Sequence, residues 1–119
     1  MVLIVGGEGA GKRTFAESLG FMRAEIADAV LDGRPVVCHV EQMVFRDAAA
    51  APKLLEPLSK KAVVICNEVG SGVIPVSYET RLAREAVGRL TILLAQRATC
   101  VVRMVCGVPS VIKGELPRA

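Results

Sequence analysis

The sequence predicts an α/β fold, a three-layer sandwich with a mostly parallel sheet, and three observations predict it. A short apolar run at the start, Val2 to Val5, meets a glycine-rich turn that opens a helix. Strand-like apolar segments then alternate with segments of helical periodicity along the chain. Ala62-Val-Val-Ile-Cys66 is apolar at every position, as a parallel strand covered on both faces must be.

The elements follow in order. Strand one covers about Val2 to Val5, and the helix after the turn begins near Lys12. A helical pattern continues over Ala24 to Leu31 until Asp32-Gly33-Arg34-Pro35 stops it. Val36 to Val40 reads as a second strand, and Ala48 to Lys61 as a helix interrupted by Pro52 and Pro57. Ala62 to Cys66 is the third strand. Ser77 is placed to cap a long helix reaching about Arg97, with Leu82, Ala86, Leu90, Leu93 and Leu94 on its inner face. Cys100 to Val105 is a fourth strand; Gly107-Val108-Pro109 and a short last strand near Val111 follow.

With 119 residues the chain is read as a single domain, large enough for a core without metals or disulfides. The core is Val, Leu, Ile and Ala, since aromatic residues make up only 3%. A net charge of +3 from scattered Lys and Arg does not indicate nucleic acid. Arg97 and Arg103 break the longest apolar stretches too soon for a membrane span. The four cysteines, Cys38, Cys66, Cys100 and Cys106, have strand-like neighbours and read as buried thiols in a reducing cytoplasm. Their spacing and the single histidine match no zinc finger.

Gly6 to Lys12 fits G-x-x-x-x-G-K, the phosphate-binding loop, so the predicted fold is of the P-loop NTPase kind. Such a backbone turns its N–H groups onto a polyphosphate, and side chains would block the approach. The nucleotide-binding residues are then Gly6, Gly7, Glu8, Gly9, Ala10, Gly11, Lys12, Arg13 and Thr14, with Lys12 reaching the outer phosphates. A Ser or Thr that binds Mg²⁺ belongs after the Lys; Arg13 stands there, and Thr14 comes one place late. The dinucleotide fingerprint does not fit, because Lys12 occupies the place of its third glycine. ATP or GTP is favoured over NAD.

Ligands of such sheets bind beyond the carboxyl ends of the strands. The glycine loop, Val40-Glu41, Asn67-Glu68 and Gly107 all follow strands and should converge there. Glu41 and Glu68 could each hold Mg²⁺ through water or accept a hydroxyl proton; the plain alternative is a solvated carboxylate at a strand end.

Asn67-Glu-Val-Gly-Ser-Gly-Val-Ile-Pro75, followed by Arg81, Arg84, Gly88-Arg89 and Gly107-Val108-Pro109, resembles the bifunctional adenosylcobinamide kinase / adenosylcobinamide-phosphate guanylyltransferase family of cobalamin biosynthesis. The resemblance implies a small P-loop fold, a homo-oligomer that is commonly a trimer, and two reactions. ATP or GTP phosphorylates the aminopropanol hydroxyl of adenosylcobinamide, and GMP then passes from GTP to that phosphate through a guanylylated histidine. The expected site then takes substrate contacts from Asn67, Glu68, Gly70, Arg81 and Arg84, with Lys12 and Glu68 as the catalytic residues and Thr14 or Glu41 holding Mg²⁺.

The chain departs from the family pattern between its first helix and Asn67, where it is shorter. If Asp32 to Pro35 is the family's turn, the acceptor histidine position falls near Ala29 or Val30. If Val36 to Met43 is the family's Asp-Cys strand end, the acid position becomes Cys38 and the acceptor segment is deleted. Either alignment removes the nucleophile, leaving His39 as the lone histidine. Phosphoryl transfer depends on positioning and charge neutralisation rather than on a covalent residue. The expectation is therefore a kinase, without guanylyl transfer by the family route. The alternatives are a non-catalytic relative that binds nucleotide or corrinoid and regulates, and a kinase for another alcohol.

Overall fold

The computed structural model describes residues 1–68 and 77–117. Strands β1 (Val2–Gly6), β2 (Ile26–Asp28), β3 (Val36–Cys38), β4 (Val63–Asn67), β5 (Cys100–Val105) and β6 (Val108–Gly114) form one sheet in the order β2-β3-β4-β1-β5-β6. All neighbours are parallel except β5 and β6. The helices are α1 (Lys12–Ser18), α2 (Val40–Arg46), α3 (Leu55–Ser59) and α4 (Tyr78–Arg97).

Alternation along the strands divides the core into two layers of side chains. Val2, Ile4, Val36, Ile65 and Val102 face one way, against Ala16, Phe15 and Leu19 of α1 and its end. Leu3, Val37, Val64 and Val101 face the other way, against Val44 of α2, Leu58 of α3, and Leu90 and Leu94 of α4. The result is the predicted three-layer α/β sandwich. Its asymmetry has a topological cause. From β1 the chain crosses outward through α1 to the β2 edge, whereas from β4 it crosses through α4 past β1 in the opposite direction. Right-handed crossovers travelling in opposite directions must lie on opposite faces.

Several local expectations are corrected. Residues 24–31 form no α-helix: a 3-10 turn at Arg23–Glu25 leads into β2, where Ile26 and Ala27 are buried on opposite faces of the sheet. A three-residue strand is too short for periodicity to reveal. The second strand ends at Cys38 rather than Val40, because His39 turns into the left-handed region at φ 54° and α2 starts at once. Residues 48–61 divide into a 3-10 helix, Ala48–Leu54, and the short α3. In α4 the inner face is Ala83, Ala86, Val87, Leu90 and Leu94, while Leu82 and Leu93 are 38% and 39% exposed. Ser77 caps α4 as expected, its hydroxyl accepting the Thr80 N–H at 3.0 Å. The last strand is longer than expected, seven residues paired antiparallel to β5.

Cys38, Cys66 and Cys100 are buried, but Cys106 is exposed. Cys106 and Gly107 form a two-residue hairpin with φ of 50° and 76°. Positive φ at both central positions suits the right-handed twist of the flanking strands. Among the described residues, no helix is long and apolar enough to cross a membrane.

Two outcomes follow from this packing. Leu94→Ala, at a fully buried position, should lower stability by about 2–5 kcal/mol, and Leu93→Ala by far less, as read from urea unfolding midpoints. Burial pushes the Cys38 thiol up to about 11 and the Cys66 thiol up to about 12. The unfolded chain releases these protons near its ordinary thiol value, so unfolding releases protons at alkaline pH and stability falls as pH rises. Between about pH 8 and about pH 10 the wild type should lose roughly 1 kcal/mol more than a Cys66→Ala variant loses.

Candidate functional site

The glycine loop leaves β1 in the middle of the sheet and is tied on both flanks. On the β4 side the Glu68 N–H donates to the Gly6 carbonyl at 2.8 Å; on the hairpin side the Gly107 N–H donates to the Ala10 carbonyl at 3.0 Å. Gly6 must be glycine, since a Cβ there would lie 2.7 Å from the Met104 carbonyl oxygen. Gly11, at φ 93°, is the residue before α1, and its carbonyl accepts the Phe15 N–H at 3.0 Å. The left-handed conformation lets the chain pass from loop to helix without a spacer.

Lys12 is 7% exposed, and its Nζ donates to the Gly7 carbonyl at 2.5 Å. Burial lowers its pKa, against the pull of the nearby Glu8, Glu41 and Glu68 carboxylates. Each of those carboxylates is engaged. Glu8 accepts from the Asn67 side-chain amide. Glu41, buried in the first turn of α2, accepts the Asn67 backbone N–H at 3.0 Å. Glu68 is gripped by the Arg103 guanidinium at 2.8 and 3.2 Å, a two-pronged pair.

Two clefts flank the loop. One, of about 300 Å³, is lined by the loop from Glu8 to Thr14 together with Cys38, His39 and Asn67. The other, of about 490 Å³, lies between the loop and Glu68, Arg103 and Cys106. On the rim of the first cleft the Asp28 carboxylate meets His39 Nδ1 at 2.7 Å, and this hydrogen bond holds the Asp28 carboxyl below its usual range.

Of the residues singled out in the sequence, Gly6 to Thr14, Glu41, Asn67 and Glu68 come together around the loop. Arg81 and Arg84 stand on the first turns of α4 and line neither cleft; the Arg81 guanidinium lies 5.9 Å from the centroid of the Tyr78 ring. Gly70 lies outside the described residues. Two residues of the site went unnoticed. Arg103 carried a signal, as a lone charge in an otherwise apolar strand. Asp28 carried none, because β2 itself was not anticipated.

Residues 24–112 match the family model described as cobinamide kinase / cobinamide phosphate guanyltransferase. No curated protein matches the sequence. The matched span takes in about three quarters of the chain, including Asn67, Arg81, Arg84 and the Gly107 hairpin, and begins after the glycine loop. The family match therefore rests on a stretch of sequence separate from the glycine loop. On that match, over a mostly parallel α/β sheet, the chain belongs to the cobinamide kinase / cobinamide phosphate guanyltransferase family of cobalamin biosynthesis.

Proposed function

We propose that the chain phosphorylates the aminopropanol hydroxyl of adenosylcobinamide, drawing the phosphate from ATP or GTP held by the glycine loop. The observation that carries this reading is Lys12, a buried ammonium held on the Gly7 carbonyl at the mouth of a cleft lined by its own loop. A buried cation whose ammonium is hydrogen-bonded to a neutral carbonyl is suited to exchange it for a phosphate oxygen. Lys12 would neutralise charge on the outer phosphates as transfer proceeds, and Arg13, exposed in the same cleft, would add a second cation. Mg²⁺ bound beside the loop would supply positive charge against the phosphates. Its protein oxygens would come from the Thr14 hydroxyl, which lines the cleft, and from Glu41 Oε2, the oxygen not taken by the Asn67 N–H. Glu68, paired with Arg103 beside the second cleft, would orient the acceptor. Guanylyl transfer is not part of this reading, since either alignment with the family leaves no histidine at the acceptor position: Ala29 or Val30 stands there, or the segment is absent.

A second reading has one observation in its favour. Arg13 occupies the position of the Mg²⁺-binding hydroxyl and acts electrostatically on Asp28 and Cys38, at the strand end that one of the two alignments matches to the family's acid. A relative altered in this way would bind nucleotide or corrinoid and regulate.

Purified protein incubated with Mg²⁺, adenosylcobinamide and ATP or GTP should yield a corrinoid heavier by one phosphate in the mass spectrum. An unchanged corrinoid with nucleotide still bound would replace the kinase by the regulatory reading. Lys12→Ala should weaken nucleotide binding by about ten- to a hundredfold in isothermal titration, the loss of one charge-assisted contact. Unaltered affinity in that variant, with its circular dichroism intact, would remove the loop from the nucleotide site.

A further inference from the structure

Beside the first cleft, three side chains from the edge of the sheet bring a carboxylate, a thiol and an imidazole together. β2 and β3 pair in parallel with Asp28 opposite Cys38, so their side chains rise from the same face. His39 follows at φ 54°, and this left-handed turn directs its ring back to Asp28 instead of onward along the strand. Asp28 Oδ1 and His39 Nδ1 are 2.7 Å apart, and Cys38 Sγ lies 3.7 Å from that oxygen and 3.6 Å from that nitrogen. A tetrahedral zinc ion with ordinary bond lengths holds sulfur about 3.6 Å from nitrogen and oxygen, and nitrogen about 3.4 Å from oxygen. Both sulfur distances already fit. Only the oxygen–nitrogen edge must open, and the Asp28 side chain, 62% exposed, is free to swing.

We propose that Asp28, Cys38 and His39 form a binding site for a thiophilic divalent cation of the zinc class. Thiolate and imidazole select zinc or cobalt over magnesium, so this site is separate in kind from the oxygen donors Thr14 and Glu41. Metal binding exchanges the Cys38 proton for a metal–sulfur bond and breaks the Asp28–His39 hydrogen bond. With three protein ligands, a fourth position stays open. Cys38 and His39 line the cleft of Lys12, so that position faces it. Arg13 is the opposing charge, acting on Asp28 and Cys38, and being exposed it has room to withdraw as the cation enters. The metal site does not depend on the nucleotide reading. A phosphate oxygen as fourth ligand would rest on that reading.

The test uses the reduced, metal-free chain titrated with Co²⁺ alone. The expected result is a thiolate-to-cobalt charge-transfer band that saturates at one equivalent and is bleached by Zn²⁺. Cys38→Ser should abolish the band, Asp28→Asn and His39→Ala should weaken binding at least about tenfold, and Cys106→Ser should leave it unchanged. Zn²⁺ should also raise the unfolding temperature of the wild type more than that of Asp28→Asn, a surface variant that leaves the core intact. No charge-transfer band in the wild type, or a band that survives Cys38→Ser, would overturn the proposal. Loss of the band in Cys106→Ser would assign it to the exposed thiol and overturn it equally.

Discussion

Everything near the site depends on β1 being paired in parallel on both sides at once. Gly6, its last residue, is in register with Asn67 of β4 and with Met104 of β5. The two neighbours approach so closely that a side chain at Gly6 would strike the Met104 carbonyl. That proximity allows one glycine loop to be tied to β4 through Glu68 and to the β5–β6 hairpin through Gly107. It also divides the space above the sheet into two clefts with the loop as the ridge between them. The reversal of chain direction at β1 sends α1 and α4 to opposite faces, which leaves the carboxyl end of the strand accessible for a ligand.

The electrostatics of the ridge follow from burial. Removing Lys12 from water disfavours its charge, and this outweighs the attraction of three surrounding carboxylates. Those carboxylates are not idle charge. Glu8 and Glu41 are both bound to Asn67, one through its side chain and one through its backbone, and Glu68 is bound to Arg103. Engaged in this way they hold the loop, β4, α2 and β5 in fixed relation. The cationic groups facing the first cleft from the loop are Lys12 and Arg13, which suits an anionic ligand there.

The departures from the family pattern fall in one place. Arg13 follows the loop lysine, while Cys38 and His39 close β3, and the structure brings them into electrostatic contact around Asp28. A guanidinium, a thiol and an imidazole thus stand together at the edge of the first cleft. Family membership rests on residues outside the glycine loop: the matched span starts at residue 24, beyond it.

Much of the fold was legible in the sequence because long-range burial leaves a local trace. β1 and β4 are apolar up to their last residue since both faces are covered, β5 is apolar apart from Arg103, and α4 carries a serine cap and a repeating inner face. The glycine loop was legible because its backbone tolerates so few residues. Where the local pattern misled, the deciding contact lay elsewhere in the chain. β2 has three residues and exists only because β3 is beside it, and α2 begins at Val40 because His39 adopts a left-handed turn that periodicity does not encode. The choice between Leu82 or Leu93 and Ala83 or Val87 on the inner face of α4 was set by the helix's rotation against α2 and the 3-10 helix. By itself, then, the sequence determined the α/β class, the central strands, the glycine loop and the family resemblance. Tertiary structure alone decided that Arg103 would grip Glu68, that Asn67 would join Glu8 to Glu41, and that Asp28 would stand opposite Cys38. Strand order and register set these pairings, and both are properties of chain segments far apart in sequence.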